Sequence, residues 1–189
     1  MTSKKVKEVR TGVFIDGSNL LWAMIRKDDK GDKINYDICF EKLKEFLKKN
    51  YSPVFYNYYV CEDNVATSEP YLSRSIKQKN FLKRLEGYGY SVKRKDLKVL
   101  KSGGAKCDTD VEIVLDLHKY KDDIDNIILF SGDSDFRGAV ETFFNMGKHI
   151  RIYSFKSSLS WELKEFAIKN PRCNYKLLDE LKDKLERIR

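Results

Sequence analysis

Residues 127–136 read Ile-Ile-Leu-Phe-Ser-Gly-Asp-Ser-Asp-Phe: a short apolar run, a glycine, and two aspartates two positions apart. Four consecutive bulky apolar residues without alternation predict a strand that is covered on both faces, as in a parallel sheet. In such sheets, ligands bind just beyond the carboxyl ends of the strands. Asp133 and Asp135 are therefore predicted to lie where a ligand would bind.

A similar arrangement occurs near the N-terminus, where residues 12–19 read Gly-Val-Phe-Ile-Asp-Gly-Ser-Asn. A strand over 13–15 would end at Asp16, and Ser18 is a candidate N-cap for a helix over 20–26. Further strands are expected at about 54–60, 90–95 and 149–155, with helices at about 36–49, 71–87, 109–119, 134–146, 159–168 and 177–188. Alternating strands and helices predict an α/β fold: a three-layer α/β/α sandwich with a mainly parallel five-stranded sheet.

Length and composition fit a single domain over 1–189, with a basic lead-in at 1–10 and a C-terminal helix within 171–189. The chain has 189 residues, of which 41% are hydrophobic, so it can bury a large core. Its net charge of +8 points to a polyanionic partner such as nucleic acid, although a lysine-rich surface kept for solubility would give the same charge. The leucine stripe of the last helix is expected to dock on the core rather than to form a homodimer contact.

Neither a membrane span nor a signal peptide is expected, because no apolar run is long enough and none precedes the first strand. The four cysteines are scattered and form no CxxC pair, so a zinc site is not expected. We interpret them as reduced cysteines of a cytoplasmic protein: Cys39, Cys61, Cys107 and Cys173.

The positive charge is concentrated in residues 71–106, which contain eleven basic residues and only two acidic ones. Such a local excess favours a surface that follows a phosphate backbone over a general solvated face. The candidate RNA-binding residues lie at the third strand and in the loop expected over 98–106: Lys93, Arg94, Lys95, Lys101 and Lys106. The nearby tyrosines could stack on bases, but packing against the sheet is the favoured interpretation for Tyr71, Tyr88 and Tyr90.

Four aspartates stand at three junctions that lead into helices: Asp16, Asp110, Asp133 and Asp135. Any one of them could be a simple helix cap. Together at one sheet edge they would repel one another unless a cation neutralised them. Mg²⁺ or Mn²⁺ is the natural candidate, because hard cations prefer oxygen ligands and can share them with a substrate phosphate.

Three motifs in this order resemble the NYN domain, specifically its LabA-like branch, within the PIN-like nuclease superfold: Asp-Gly-Ser-Asn at 16–19, Asp-Val-Glu-Ile-Val-Leu-Asp at 110–116, and Ser-Gly-Asp-Ser-Asp-Phe at 131–136. The resemblance runs from about Gly12 to Ile168. It implies metal-dependent ribonuclease chemistry, with a catalytic set that binds Mg²⁺ or Mn²⁺ through Asp16, Asp110, Asp133 and Asp135, helped by Asn19. Ser131 and Ser18 would support these ligands.

Three polar residues in or beside the second motif need an interpretation of their own. Asp108 is the other acid that could point into the site, and we choose Asp110 because it keeps the helical register that leads to Asp116. Asp116 falls on the same helical face as Glu112 and is expected to be solvated. His118 is expected to pack with Val111, Val114 and Leu115 rather than to act as a base.

The sequence thus predicts an endonuclease that cleaves RNA with a divalent metal. A catalytically weak RNA-binding or regulatory module of the same fold is the alternative, and a DNA flap nuclease or a small-substrate phosphohydrolase is a third. A dinucleotide-binding domain is disfavoured because residues 16–19 lack the required glycine pattern. A haloacid-dehalogenase-type phosphatase is also disfavoured, because Ser18 stands where it would need a second Asp.

Overall fold

The computed structural model describes residues 9–62, 71–99 and 105–188. Six strands form one fully parallel sheet in the order β3-β2-β1-β6-β7-β8. They are β1 (Thr11–Asp16), β2 (Phe55–Glu62), β3 (Ser91–Asp96), β6 (Asn126–Phe130), β7 (His149–Ser154) and β8 (Cys173–Leu177). A separate antiparallel pair, β4 (Lys98–Val99) and β5 (Ala105–Lys106), lies within the segment that the sequence predicted as a loop. Residues 100–104 of that loop are outside the described residues.

Helices cover both faces of the sheet, which confirms the three-layer α/β/α sandwich. One apolar core lies under α1 (Gly17–Ile25), α2 (Phe40–Tyr51), α3 (Tyr71–Gly87) and α7 (Lys182–Leu185). The other lies under α4 (Asp110–Lys119), α5 (Arg137–Asn145) and α6 (Trp161–Lys169). The apolar run of β6 divides its side chains between the two cores, since Ile128 and Phe130 face the first and Ile127 and Leu129 face the second.

The prediction of five strands was one short, because β8 was not recognised. This strand pairs with β7 at the edge of the sheet and alternates between buried and more exposed residues. Cys173, Tyr175 and Leu177 alternate with two polar residues, which is the pattern of a half-buried strand. The run is only five residues long, and no strand was predicted between the helices expected at 159–168 and 177–188. The predicted C-terminal helix over 177–188 is wrong for the same region. A 3-10 helix over Leu178–Leu181 precedes the four-residue α7.

The leucines of that C-terminal segment nevertheless dock on the core as expected. Leu178, Leu181 and Leu185 are buried in the first core, whereas Ile188 is exposed. Helix α2 begins at Phe40 rather than near Tyr36, and the Tyr36 hydroxyl donates a 2.8 Å hydrogen bond to the Leu178 carbonyl. The loop before α2 thus joins the C-terminal segment to the domain.

The predicted buried face of α4 was rotated. Ile113 and Leu117 are its buried residues, and Val111, Val114 and Leu115 are exposed. His118 is exposed too, which corrects the expectation that it packs with them. The error arises because an apolar residue every three or four positions fits two different faces of so short a helix.

Candidate active site

All strands are parallel, but the direction in which the chain adds strands to the sheet reverses between the two central strands, β1 and β6. From β1 the chain continues outward through β2 and β3, and from β6 it continues outward on the other side through β7 and β8. Ile15 pairs with Phe130, so the next residues, Asp16 and Ser131, leave the sheet side by side. The crevice beyond the carboxyl ends of strands at such a switch point is the usual binding position in open α/β sheets.

Asp16 is the fixed residue of this crevice. Its side chain is the N-cap of α1 and accepts a 3.0 Å hydrogen bond from Asn19 N on Oδ1, which corrects the prediction that Ser18 caps the helix. Ser131 Oγ donates to Asp16 Oδ2 at 3.0 Å. Burial raises the pKa of the Asp16 carboxyl; the hydrogen bonds from Asn19 and Ser131 lower this pKa, and the charge of Asp133 raises it. The backbone N–H of Ser18 also donates to Asp16, which lowers the pKa.

The turn over 131–133 is fastened to α1. Gly132 N donates to Asn19 Oδ1 at 3.1 Å, and Asp133 N donates to Ser131 Oγ at 3.2 Å. Ser131 is fully buried, so its hydroxyl joins Asp16 to the turn without access to water. Asn19 and Ser131 therefore position the carboxylates of both strand ends.

Two glycines permit this close approach. A Cβ on Gly17 would lie 2.5 Å from the Tyr59 carbonyl oxygen, and one on Gly132 would lie 2.0 Å from the Ser158 carbonyl oxygen. Real Cβ atoms essentially never approach backbone atoms so closely. The glycines of both motifs are needed for packing at the site.

Asp110, the first residue of α4, interacts electrostatically with Asp16 and Asp133, although it lies on a different element of the fold. Its backbone N–H donates to Asp108 Oδ1 at 2.9 Å. Burial is the largest cause that raises its pKa to about 7, followed by the charges of Asp16, Asp108 and Asp133. Asp110 is partly buried and Asp108 is exposed, so the structure places Asp110 deeper in the crevice.

Asp135 is placed differently from these three carboxylates. It is exposed, and its backbone N–H donates to Asp133 Oδ1 at 3.0 Å. Its charge is not among the causes that raise the pKa of Asp16 or Asp110. A ligand role for Asp135 stays a prediction.

The described residues include no group of three or more Asp, Glu, His or Cys side chains that could already hold a metal ion. The donor set nevertheless suits a hard cation, because three carboxylates near one another carry charge that such a cation would neutralise. The Thr109 hydroxyl, beside Asp110, is buried without a hydrogen-bond partner among the described residues. Sequence reasoning missed this hydroxyl, and a buried hydroxyl without a partner is uncommon in folded proteins.

A disulfide joins Cys61, near the end of β2, to Cys107, three residues before Asp110. This corrects the expectation that all four cysteines are reduced; Cys39 and Cys173 are free. The two bonded cysteines are 46 residues apart in sequence, so only the fold brings their Cα atoms to 6.0 Å. The cross-link fastens the segment that carries Asp110 to the sheet.

Asp116 is not simply solvated, as the sequence suggested. Its Oδ2 accepts a 2.7 Å hydrogen bond from the Tyr59 hydroxyl, and Asn57 Nδ2 lies 3.5 Å away. Tyr59 is fully buried in β2, next to Asp16 in register. This contact holds the second turn of α4 against the sheet.

The candidate RNA-binding residues divide into three groups. Arg94 forms ion pairs with Glu62 at 3.4 Å and Glu86 at 2.8 Å. Lys95 pairs with Glu112 at 2.9 Å and donates to the Asp108 carbonyl at 2.6 Å. Lys93 is partly buried on β3. Lys101 and the side chain of Lys106 lie outside the described residues, so contact with RNA stays a prediction for all five.

The three tyrosines of the basic segment do not all pack. Tyr90 is buried, and its hydroxyl donates to the Phe40 carbonyl at 2.7 Å. Tyr88 packs against the first core. Tyr71, by contrast, is 58% exposed at the start of α3, which contradicts the expectation that it packs. Within the described parts of the chain, no helix is long and apolar enough to cross a membrane.

Comparison with known proteins agrees with the geometry. The family model described as "NYN domain" matches residues 10–169. The chain belongs to the NYN domain family. It is 27% identical over 165 residues to the low amplitude and bright protein LabA of Synechococcus elongatus, covering 82% of this chain and 78% of LabA. The resemblance to the LabA-like branch is thereby confirmed.

The fold has a counterpart among solved structures. A crystal structure of a protein of unknown function from Vibrio parahaemolyticus matches with a TM-score of 0.70 and 24% identity, over 98% of this chain and 99% of that one. At this identity the match shows the fold alone. NYN domains are generally nuclease-type hydrolases that act on RNA, and PIN-like nucleases of this kind generally use divalent metals.

Proposed function

We propose that this protein is a metal-dependent ribonuclease, an endonuclease that hydrolyses RNA phosphodiesters. One observation carries the proposal: in an NYN domain, Asp16 is hydrogen-bonded to Ser131 at the switch point of the sheet, within electrostatic reach of Asp110 and Asp133. Carboxylates concentrated at a ligand-binding edge suit a cation that is shared with a phosphate.

Each residue has a distinct part in the proposed site. Asp16, Asp110 and Asp133 would hold Mg²⁺ or Mn²⁺, with Asp135 completing the set. Such a cation, when bound, lowers the pKa of a coordinated water and stabilises charge on the phosphate. Asn19 and Ser131 hold the turn and the Asp16 carboxylate in place through the hydrogen bonds that they make with Gly132 and Asp16.

The RNA backbone would pass over the basic segment beside β3. We propose Lys93, Arg94, Lys95, Lys101 and Lys106 as its contacts. Arg94 would exchange Glu86, and Lys95 would exchange Glu112, for phosphates; both ion pairs are partly exposed, so they cost little to exchange. Arg94 would keep its pair with Glu62, because Glu62 is buried. Affinity should then fall steeply with salt, because each neutralised phosphate releases counterions.

The test compares cleavage of a labelled single-stranded RNA and a hairpin RNA with Mn²⁺, with Mg²⁺ and with EDTA. Asp16→Asn, Asp110→Asn and Asp133→Asn should each lower the rate at least about 100-fold, since even residues that only support a ligand cost 10- to 100-fold. Asp29→Asn, in an exposed loop, is the matched control and should cleave normally. Equal cleavage by the wild type and the three site variants would contradict the proposal.

A catalytically weak RNA-binding or regulatory module is the second candidate. The observation that favours it is that the described residues contain no ready-made metal cage. It predicts salt-dependent RNA affinity without metal-dependent turnover, and the same cleavage assay separates the two candidates.

A further inference from the structure

The chain has two tryptophans, and both are exposed. Trp22 is 71% exposed on α1, and Trp161 is 64% exposed at the start of α6. Tryptophan is a large side chain that is usually well buried and is enriched at interfaces, so the two exposed copies are candidates for binding a ligand. The inference below rests on the proposed function, since it takes RNA as the ligand.

Trp22 stands close to the candidate active site along α1. It follows Asn19 by three positions, so the two residues share a helical face. Helical side chains lean toward the N-terminus of their helix, here toward the turn that starts at Asp16. Asn19 in turn accepts the hydrogen bond from Gly132 N at 3.1 Å.

Trp161 stands on the other side of Gly132. The residue before it, Ser160, caps α6 and donates its backbone N–H to the Gly132 carbonyl at 2.8 Å. Gly132 is thus hydrogen-bonded on one side to the helix that carries Trp22 and on the other to the residue that precedes Trp161. The elements that carry the two tryptophans are therefore hydrogen-bonded to the same turn, through Asn19 and Ser160.

The loop over 156–160 is fastened to α1. Arg26 Nη1 donates to the Ser157 carbonyl at 2.8 Å, and Asn35 Nδ2 donates to Ser157 Oγ at 2.8 Å. The two elements that carry the tryptophans are therefore held together by direct contacts. Flexible motion of one relative to the other is restricted.

Charged residues of both signs lie beside the tryptophans. Arg26, Lys27 and Lys156 are exposed on these two elements. Four acids are also close: Asp28 and Asp29 follow Lys27, Glu162 follows Trp161, and Asp179 accepts the backbone N–H of Lys156 at 2.8 Å. Charge therefore does not select the ligand at this place. RNA is taken as the ligand because NYN domains act on RNA and because aromatic faces stack on bases.

We propose that Trp22 and Trp161 stack on unpaired bases of RNA on either side of the phosphodiester that is cleaved, so that the substrate is single-stranded. Aromatic side chains stack on every base, whereas bases in a duplex are already stacked on each other and do not expose their faces. The tryptophans then select for strandedness without reading sequence. They add a second contact surface to the basic segment at β3.

Intrinsic fluorescence tests this directly, because the chain's only two indoles are the proposed contacts. The full chain, in EDTA to prevent cleavage, is titrated with a uridine oligomer and with a duplex RNA of equal length. Saturable quenching by the oligomer and little by the duplex is expected. Trp22→Leu and Trp161→Leu should each weaken oligomer binding about 5- to 100-fold, and each should retain quenching of the remaining tryptophan.

Conservative variants distinguish stacking from a loss of structure. Trp22→Phe and Trp161→Phe keep an aromatic face and should recover most of the affinity, measured by polarisation of a labelled oligomer. Ile168→Ala, exposed at the far end of α6, is the matched control and should bind normally.

Three results would overturn the proposal. They are absence of quenching, equal quenching by oligomer and duplex, and fluorescence that changes with protein concentration alone while sedimentation shows a dimer. The last result would mean that a second copy of the chain covers the tryptophans. Quenching without cleavage in Mn²⁺ would refute the nuclease and keep this inference, whereas cleavage without quenching would refute this inference alone.

Discussion

Asp16 and Asp110 reach one crevice by different routes. The candidate site has two halves, and Asp16, at the end of a central strand, belongs to the one that we call the sheet-held half. In this half, Asn19, Ser131 and Gly132 fix the Asp16 carboxylate through strand register and hydrogen bonds. Asp110 belongs to the tethered half of the site, residues 107–110, which is fastened by a disulfide. It includes the buried Thr109 hydroxyl, which has no hydrogen-bond partner in the part of the chain that the structure describes. The sheet-held half is already organised without a ligand, whereas the tethered half depends on its cross-link and on relief of repulsion.

Reduction of the Cys61–Cys107 disulfide should release the tethered half and destabilise the fold more than the substitutions described below. The cross-link restricts a long loop of the unfolded chain, so its reduction should lower the free energy of unfolding by about 2–4 kcal/mol. Denaturation in urea with and without dithiothreitol measures the difference. Cys107→Ser should be insensitive to the reductant and Cys39→Ser should remain sensitive. Equal stability of the oxidised and reduced wild type would contradict the role given to the cross-link.

Gly132→Ala should break the sheet-held half. The added methyl would meet the Ser158 carbonyl oxygen at 2.0 Å, so the turn must shift, at a cost of about 1–3 kcal/mol in unfolding free energy. Gly138→Ala is the control, because nothing lies within 4 Å of its Cβ and alanine favours the α5 helix. Thermal denaturation compares the two; a Gly132→Ala protein as stable as the control would refute the packing argument.

Ser131→Ala should sharpen the comparison by loosening Asp16 without removing it. The carboxylate would lose its 3.0 Å hydrogen bond, and Asp133 N would lose its acceptor. Metal affinity and cleavage rate should fall about 10- to 100-fold, the usual cost of losing a residue that orients a ligand. Ser18→Ala is the control, because Ser18 contacts Asp16 through its backbone. The account fails here if both variants match the wild type.

Acidification should act on the tethered half through the protonation of Asp110. Because the folded pKa of Asp110 is raised to about 7, the folded state binds this proton more tightly than the unfolded chain does. The metal-free fold therefore loses stability at this residue as pH rises from about 4 to 7. Protons also compete with the cation, so Mn²⁺ affinity should drop about tenfold per pH unit below 7.

The difference between wild type and Asp110→Asn measures this effect. Unfolding in EDTA at pH 5 and pH 8 should show the wild type losing more stability than the variant as pH rises. A pH dependence that is the same in both proteins would mean that Asp110 titrates at its ordinary value.

The sheet-held half was largely predictable from sequence, and the tethered half was not. Buried strands that end in aspartates are predicted by the apolar runs within residues 127–136 and 12–19. The parallel sheet then places the ends of these two strands side by side. The Cys61–Cys107 bond, the Tyr59–Asp116 contact and the Thr109 hydroxyl depend on contacts between residues tens of positions apart. The edge strand β8 was missed because its alternating run is only five residues long. The face of α4 was misassigned because its apolar residues fit two registers.

Calorimetric titration of the metal-stripped protein with Mn²⁺ at pH 8 tests most directly whether the acids of both halves hold one cation site. The account predicts saturable binding by the wild type and by Asp29→Asn, and binding weakened at least about 100-fold in Asp16→Asn, Asp110→Asn and Asp133→Asn alike. Unchanged Mn²⁺ binding in Asp16→Asn or Asp110→Asn would contradict it.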